Sequence, residues 1–279
     1  MNIGIRLHDT LPGTLPERLS YAKAQGFSCA HLALSKVLTG FAMEDAPRLL
    51  DAALAARVKA AFAAQGMECA VLGCYLTLAE PDPEKRERTL AVYRAHLRFS
   101  RQVGARVVGT ETPFSGPDRD GEDAFRFFLD CLRPAVRAAE EEGAVLAVEP
   151  VWQHVVSTPE KAERMLEEMR SDSVGIILDS VNLLSAANEE RAEAIVDEAL
   201  RRLGDRVRVL HMKDYLVEPG RANVLSLACG LGKMRDGRLL AFAKERAVPM
   251  TLEDTTPENA EAARERLERL AAQTEQEGR

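Results

Sequence analysis

The chain has 279 residues, 46% of them hydrophobic and 29% charged, and carries a formal net charge of −7. That composition belongs to a globular protein with a sizeable core. Interspersed acids and bases leave no basic footprint for nucleic acid, and no apolar run is long enough to cross a bilayer.

Strand-like and helix-like segments alternate from the start. NIGIRLH reads as a strand and residues 16–25 as a helix, followed by the strand SCAHLAL. A long Ala-rich helix is expected over 45–65, closed by Gly66. The strand MECAVLGCYL precedes a helix over 83–103, and ARVVGTE precedes one over 122–142. AVLAVEP is followed by a helix opened by Ser157-Thr158-Pro159-Glu160, where a proline in the first turn loses no hydrogen bond. VGIILDS leads to a helix over 188–203. VRVLHMKD leads through a long connection (218–234) to a helix over 236–246. VPMTLED is the last strand, and the last helix is expected from Thr256-Pro257-Glu258, with the closing EQEGR frayed. Glycine repeatedly follows a helix, as C-capping requires. The strands are continuous apolar runs, which suits a parallel sheet covered on both faces. Eight β–α units predict an α/β fold, a single-domain (β/α)8 barrel over residues 1–279; an open doubly wound sheet is the alternative. Cys29, Cys69, Cys74, Cys131 and Cys229 show no CxxC spacing, and MNIGIRLHDT lacks the tripartite form of a leader. Both point to a reduced, cytoplasmic protein.

In such a barrel the chemistry sits at the C-terminal ends of the strands. Glu149 ends the fifth strand, Asp179 the sixth, His211 the seventh and Glu253 the eighth. Adjacent strands lie about 4.8 Å apart, so four consecutive strand ends can surround one ion. Three carboxylates and an imidazole suit Mn²⁺, Mg²⁺ or Co²⁺, and Zn²⁺ less distinctively. Taken singly, each acid has a plain alternative as a helix cap or a salt-bridge partner.

AVEP, IILDSVN, VLHMKD and TLED resemble the successive strand ends of the xylose-isomerase-like TIM-barrel superfamily, over nearly the whole chain. That superfamily includes ketose 3-epimerases, hydroxypyruvate isomerases, inosose dehydratases and an endonuclease-IV branch. The resemblance implies that Glu149, Asp179, His211 and Glu253 bind one divalent metal ion, Mn²⁺ first among the candidates. It also implies that Glu149 and Glu253 move protons. The implied reaction is isomerisation or epimerisation of a sugar: a proton leaves a carbon next to a carbonyl, and a metal-held enediolate forms. The chain departs from the epimerase pattern Asp-x-x-His, since Asp179 is followed by Ser180-Val181-Asn182. Asn182 can bind a hydroxyl but cannot shuttle a proton near neutral pH. SVNLL is also similar to members described only as sugar phosphate isomerase/epimerase and to the alpha subunits of bacterial C-glycoside deglycosidases. The resemblance thus implies as second function a metal-dependent lyase, either a deglycosidase with a small partner subunit or a dehydratase of the inosose type.

Further substrate-binding candidates stand on the same loops. His8 follows the first strand, and Glu111 ends the fourth. Trp152, the only tryptophan, and His154 follow Glu149 on a loop, where an aromatic can stack on a sugar ring. Lys213 lies two residues beyond His211 and so on the same side of the strand. The long connection holds Arg221 and Cys-Gly-Leu-Gly-Lys (229–233), which lacks the frame of a P-loop and reads foremost as a flexible connection, with contact to an oxygen-rich or phosphorylated substrate as the alternative. Tyr75 reads foremost as core, with a place on the wall of the site at the third strand as the alternative. Each has a structural alternative: a cap, a salt bridge or packing. The expected partner is a small carbohydrate, with no nucleic acid and no membrane, and with a homo-oligomer or small subunit as options. A non-catalytic sugar-binding barrel is the third function considered. An apurinic-site endonuclease ranks last, because the net charge opposes DNA binding and five histidines are few for a trinuclear zinc site.

Overall fold

In the computed structural model, which describes residues 1–113, 118 and 120–277, eight parallel strands close on themselves. They are β1 (Ile3–Arg6), β2 (Cys29–Leu32), β3 (Glu68–Gly73), β4 (Val107–Glu111), β5 (Leu146–Glu149), β6 (Val174–Asp179), β7 (Val207–Met212) and β8 (Met250–Leu252). Each pairs with its neighbours in sequence, and β8 pairs with β1 through Ile3 and Met250. Each strand is followed by one long helix: α1 (Leu15–Ala24), α2 (Ala52–Gln65), α3 (Pro83–Val103), α4 (Glu122–Glu142), α5 (Pro159–Met169), α6 (Ala192–Leu203), α7 (Gly237–Glu245) and α8 (Ala260–Glu277). The fold is a single (β/α)8 barrel, as the alternation of patterns predicts. Among the described residues no helix is long and apolar enough to cross a membrane.

The pleat sorts the strand residues into two cores. Cys29, Val71, Val107, Ala147, Ile177 and Val209 form a small cluster separate from the main one. All are inward-facing by strand alternation. The outward residues, such as Leu32, Leu72, Leu146 and Leu178, join the shell of helices in one large cluster. Burial on both faces is why these strands read as continuous apolar runs. Left-handed glycines end α2, α3 and α4, at Gly66 (φ 57°), Gly104 (φ 78°) and Gly143 (φ 62°).

Three expectations need correction. The helix expected over 45–65 is broken: one turn, Ala46–Leu49, precedes α2, and the Asp51 side chain accepts from Leu54 N–H at 2.7 Å. Asp51 has extended backbone and starts a new helix as its N-cap. The last helix begins at Ala260, because the Asn259 side chain accepts from Thr256 N–H at 2.8 Å and holds a turn there. It also runs through the first three residues of EQEGR, and residues 278–279 lie outside the described ones.

The connection over 218–234 is an ordered structure. Strands Asp214–Leu216 and Leu225–Leu227 form an antiparallel hairpin, and residues 229–234 then fold around Asp214. The Asp214 carboxylate accepts from Tyr215 N–H (2.8 Å), Met234 N–H (2.7 Å), Gly230 N–H (3.0 Å) and Gly232 N–H (2.8 Å). A Cβ at Gly232 would stand 2.2 Å from the Tyr215 carbonyl oxygen, so only glycine fits. The paired glycines of 229–233 thus cradle an anion, and that anion is the protein's own buried carboxylate.

Two stability predictions follow from burial. Asp214→Ala orphans four backbone N–H groups and should cost about 3 kcal/mol or more in urea unfolding; a loss below about 1 kcal/mol would reduce the cradle to incidental packing. The buried His96 imidazole on α3 has Nδ1 2.9 Å from the Val92 carbonyl oxygen, and burial lowers its pKa to about 4. The unfolded chain takes up a proton below about 6.5, where the folded chain does not. Stability from this group is complete above about pH 6.5 and is lost as pH falls towards 4. Between pH 7.5 and 5 the wild type should lose about 2 kcal/mol more than His96→Leu. Equal losses in the two proteins would show that His96 does not contribute.

Candidate metal centre

Strand alternation carries one ring of residues to the C-terminal mouth. By that alternation Arg6, His31, Gly73, Glu111, Glu149, Asp179, His211 and Glu253 face inward at or near the C-terminal ends of their strands, Glu253 directly after β8. Arg6 is in register with His31, Glu111 with Glu149, and Asp179 with His211. Glu253 continues the β8 ladder, donating its N–H to Met212 O at 3.0 Å. A cavity of about 470 Å³ opens over this ring, the size of a small-molecule site.

His211 lies at the centre. Its Nδ1 is 3.2 Å from Glu149 Oε2 and 3.2 Å from Glu253 Oε1. Lys213 reaches Asp179 Oδ2 at 3.0 Å and Glu253 Oε2 at 3.6 Å. Asp179 Oδ1 accepts from the N–H groups of Val181 (2.9 Å) and Asn182 (3.1 Å). The Asn182 side-chain amide donates to Glu149 Oε1 at 2.6 Å. Arg6 faces Glu253 Oε2 at 3.4 Å and pairs with Asp9 and Asp254, each at 2.9 Å.

Crowding buried charges shifts their proton affinities. Burial opposes charge on His211, but the Glu253 and Glu149 carboxylates outweigh it and raise its pKa to about 9. Burial also pushes Glu253 towards the protonated form, yet His211, Lys213 and Arg6 hold it well below the usual carboxylate range. Asp179 is raised to about 6 by burial, against the pull of Lys213. Glu111 is raised to about 7 by burial and by the charges of Glu149 and Glu253. Burial lowers His8 to about 4 and holds His31 well below its ordinary value.

The structure brings most of the candidates to this mouth. His8, Glu111, Glu149, His154, Asn182, Lys213 and Glu253 line the cavity. Asp179 and His211 lie beneath them, fully buried. His154 Nδ1 is 3.9 Å from Glu111 Oε2. Trp152 is half-buried and does not line the cavity; its backbone N–H donates to Asn182 O at 2.7 Å, and Val151, Gln153 and His154 reach the cavity instead. Arg221 is not brought in. It is exposed on the hairpin loop and pairs with Glu218 at 2.8 Å. Lys233 faces a separate cavity of about 320 Å³ outside the barrel, where it pairs with Glu189 at 3.4 Å.

Two residues at the mouth escaped the sequence reading: Arg6, the last of β1, and His31, the last inward residue of β2. Tyr75, read foremost as core, takes its alternative place on the cavity wall. A histidine inside the apolar run SCAHLAL was the available signal, since a strand buried on both faces has no place for an idle imidazole.

The donor set fits a divalent cation. Ligand atoms of Glu149, Asp179 and His211 all lie within 4.8 Å of one another, and those of His31, His211 and Glu253 form a second such group. An ion with bonds of about 2.1 Å spans slightly less, so small side-chain movements suffice. His211 Nε2 and Asp179 Oδ2 are buried with no hydrogen-bond partner among the described residues, although the Lys213 ammonium stands 3.0 Å from Asp179 Oδ2. A single imidazole N–H also cannot serve two carboxylates equally, whereas a cation serves both.

A family model described as xylose isomerase-like TIM barrel matches residues 19–276. No curated protein matches the chain in sequence. Among solved structures, 3-keto-D-glucoside 4-epimerase YcjR from E. coli superposes with a TM-score of 0.73 at 19% identity, covering 96% of this chain and 99% of that one. The IolI protein with a bound zinc atom gives 0.71 at 17%, covering 98% and 96%. D-psicose 3-epimerase from Clostridium cellulolyticum H10, solved with D-tagatose, gives 0.69 at 16%, covering 91% and 85%. At these identities the structural likeness is one of fold.

A bound ion stabilises the native state by linkage. Manganese at 100 times its dissociation constant should add about 2.7 kcal/mol, roughly 5–10 °C in melting temperature. Asp179→Ala should lose both the shift and the metal stoichiometry. Retention of both by the variant would remove Asp179 from the ligand set.

Proposed function

Because the chain belongs to the xylose isomerase-like TIM barrel family, we propose that it is a divalent-cation-dependent isomerase or epimerase of a small carbohydrate, working by proton transfer at a carbon next to a carbonyl. The observation that supports this most is the placement of two carboxylates, Glu149 and Glu253, on either side of His211, each 3.2 Å from its Nδ1. Glu149, Asp179, His211 and Glu253 would hold the ion, with Mn²⁺ the first candidate and Mg²⁺, Co²⁺ or Zn²⁺ the others. When bound, the cation supplies positive charge that offsets the negative charge developing on the substrate oxygen.

The residues divide the remaining work. The Asn182 amide holds Glu149 Oε1, which sets the carboxylate's orientation and leaves Oε2 turned towards the centre. Asn182 cannot carry a proton, so it orients and does not shuttle. Arg6 and Lys213 keep Glu253 ionised and hold it at the opposite edge. One glutamate removes the proton from carbon, and the other returns one. Return to the opposite face of the same carbon gives an epimer. Return to the neighbouring carbon, with the hydroxyl proton moving to the former carbonyl oxygen, gives the aldose–ketose pair.

A second reading, a metal-dependent lyase, draws on Glu111. It is in register with Glu149, and burial and the neighbouring carboxylates raise its pKa to about 7. A carboxyl still partly protonated near neutrality, beside the base, is suited to protonating a departing group.

Solvent exchange tests the common step. Wild-type protein with Mn²⁺ and a ketose in D₂O should incorporate deuterium next to the carbonyl, read by NMR. Glu149→Gln and Glu253→Gln should each lower that rate by about 10³-fold while keeping the wild-type fold. Undiminished exchange in both variants would end the two-glutamate mechanism, and product identity separates an isomer from an eliminated fragment.

A further inference from the structure

Beside the acids and their cations the mouth carries a wall of rings. His31 is 2% exposed, its Nδ1 stands 4.0 Å from Glu253 Oε1, and neither ring nitrogen has a hydrogen-bond partner among the described residues. The same holds for His8 Nδ1 and for the Tyr75 hydroxyl. The three rings adjoin one another, with centroids 6.2 Å apart for His8 and His31 and 5.7 Å for His31 and Tyr75, and all three line the cavity.

Local backbone features set this wall. The β2–β3 register shifts between Ala30 and His31, an irregularity of the kind that re-aims a side chain. Opposite it, Gly73 leaves the room the rings occupy: a Cβ there would stand 2.8 Å from His31 Nε2 and 3.0 Å from the Tyr75 ring. Buried polar groups are ordinarily satisfied, and a row of orphaned ones along a cavity points to a ligand that satisfies them.

Resting on the isomerase reading, we propose that His31, Tyr75 and His8 form a hydroxyl-binding wall and that the substrate is an uncharged, unphosphorylated sugar. An imidazole offers a lone pair beside an N–H, and a phenol both donates and accepts; a sugar hydroxyl does the same, whereas a phosphate dianion only accepts. The cations at the floor are already engaged. Arg6 is held by Asp9, Asp254 and Glu253, and Lys213 by Asp179 and Glu253. Lys36, exposed at the rim, marks where a phosphorylated sugar would be held instead.

Calorimetric titration of the manganese-loaded protein with D-tagatose and with D-tagatose 6-phosphate decides the matter. The neutral sugar should bind at least tenfold more tightly than the phosphate. His31→Phe and Tyr75→Phe should each weaken that binding about tenfold, with manganese content and melting temperature unchanged; Tyr75→Phe removes one oxygen and keeps the ring. Tighter binding of the phosphate, abolished in Lys36→Gln, overturns the proposal. So do wild-type affinity in both aromatic variants, loss of manganese from His31→Phe, or failure of both sugars to bind. Tight neutral-sugar binding without deuterium uptake would instead remove the isomerase reading and leave the wall standing.

Discussion

Three carboxylates, Glu149, Asp179 and Glu253, are buried within reach of one imidazole, and the rest of the mouth answers to that fact. Like charges in a poorly solvated space repel strongly, and each is costly to remove from water. Lys213 bridges Asp179 and Glu253, Arg6 braces Glu253, and His211 lies between two glutamates with its pKa raised to about 9. A divalent cation would take over part of this neutralisation and displace the proton on His211, since metal binding and protonation compete for the same lone pair.

The barrel makes that concentration of charge possible. Parallel strands place equivalent residues at one level, and hydrogen-bond register ties Asp179 to His211 and Glu111 to Glu149. Small side chains beneath, such as Cys29, Val107 and Ala147, fill the narrow interior and support the ring above them. Beyond β7 the chain spends another buried carboxylate, Asp214, on organising its own loop. The buried acids Asp179, at the end of β6, and Asp214, just beyond β7, thus do different work. One faces an imidazole and an ammonium; the other is saturated by backbone N–H groups.

The two halves of the mouth differ in how they are held. Lys213, Arg6 and Asn182 cross-link the acidic half, which leaves His211 Nε2 and Asp179 Oδ2 without hydrogen bonds among the described residues. The half built from His8, His31 and Tyr75 is left with unpaired nitrogens and a hydroxyl. On the reading proposed above, the first would hold a cation and the second the hydroxyls of a sugar.

The architecture was legible in the linear chain because hydrophobic periodicity is a local property. Eight apolar runs sufficed to place eight strands, and Glu149, Asp179, His211 and Glu253 stood out as polar interruptions at equivalent positions. Helix limits set by glycine were legible for the same reason. The break before Ala52 was not, since an Ala-rich run looks helical throughout and only the side chain of Asp51 settles where the new helix starts. Nor was the partnership of Asp214 with residues up to 20 positions away, which the glycines of 229–233 disguised as a flexible connection. Composition and pattern alone determined the barrel and nominated the acids. Tertiary structure decided that Arg221 points elsewhere, that Asn182 grips Glu149, and that His31 and Arg6 complete the ring. Those outcomes depend on which side chains meet across strands distant in sequence, and periodicity along one strand carries no record of its neighbours.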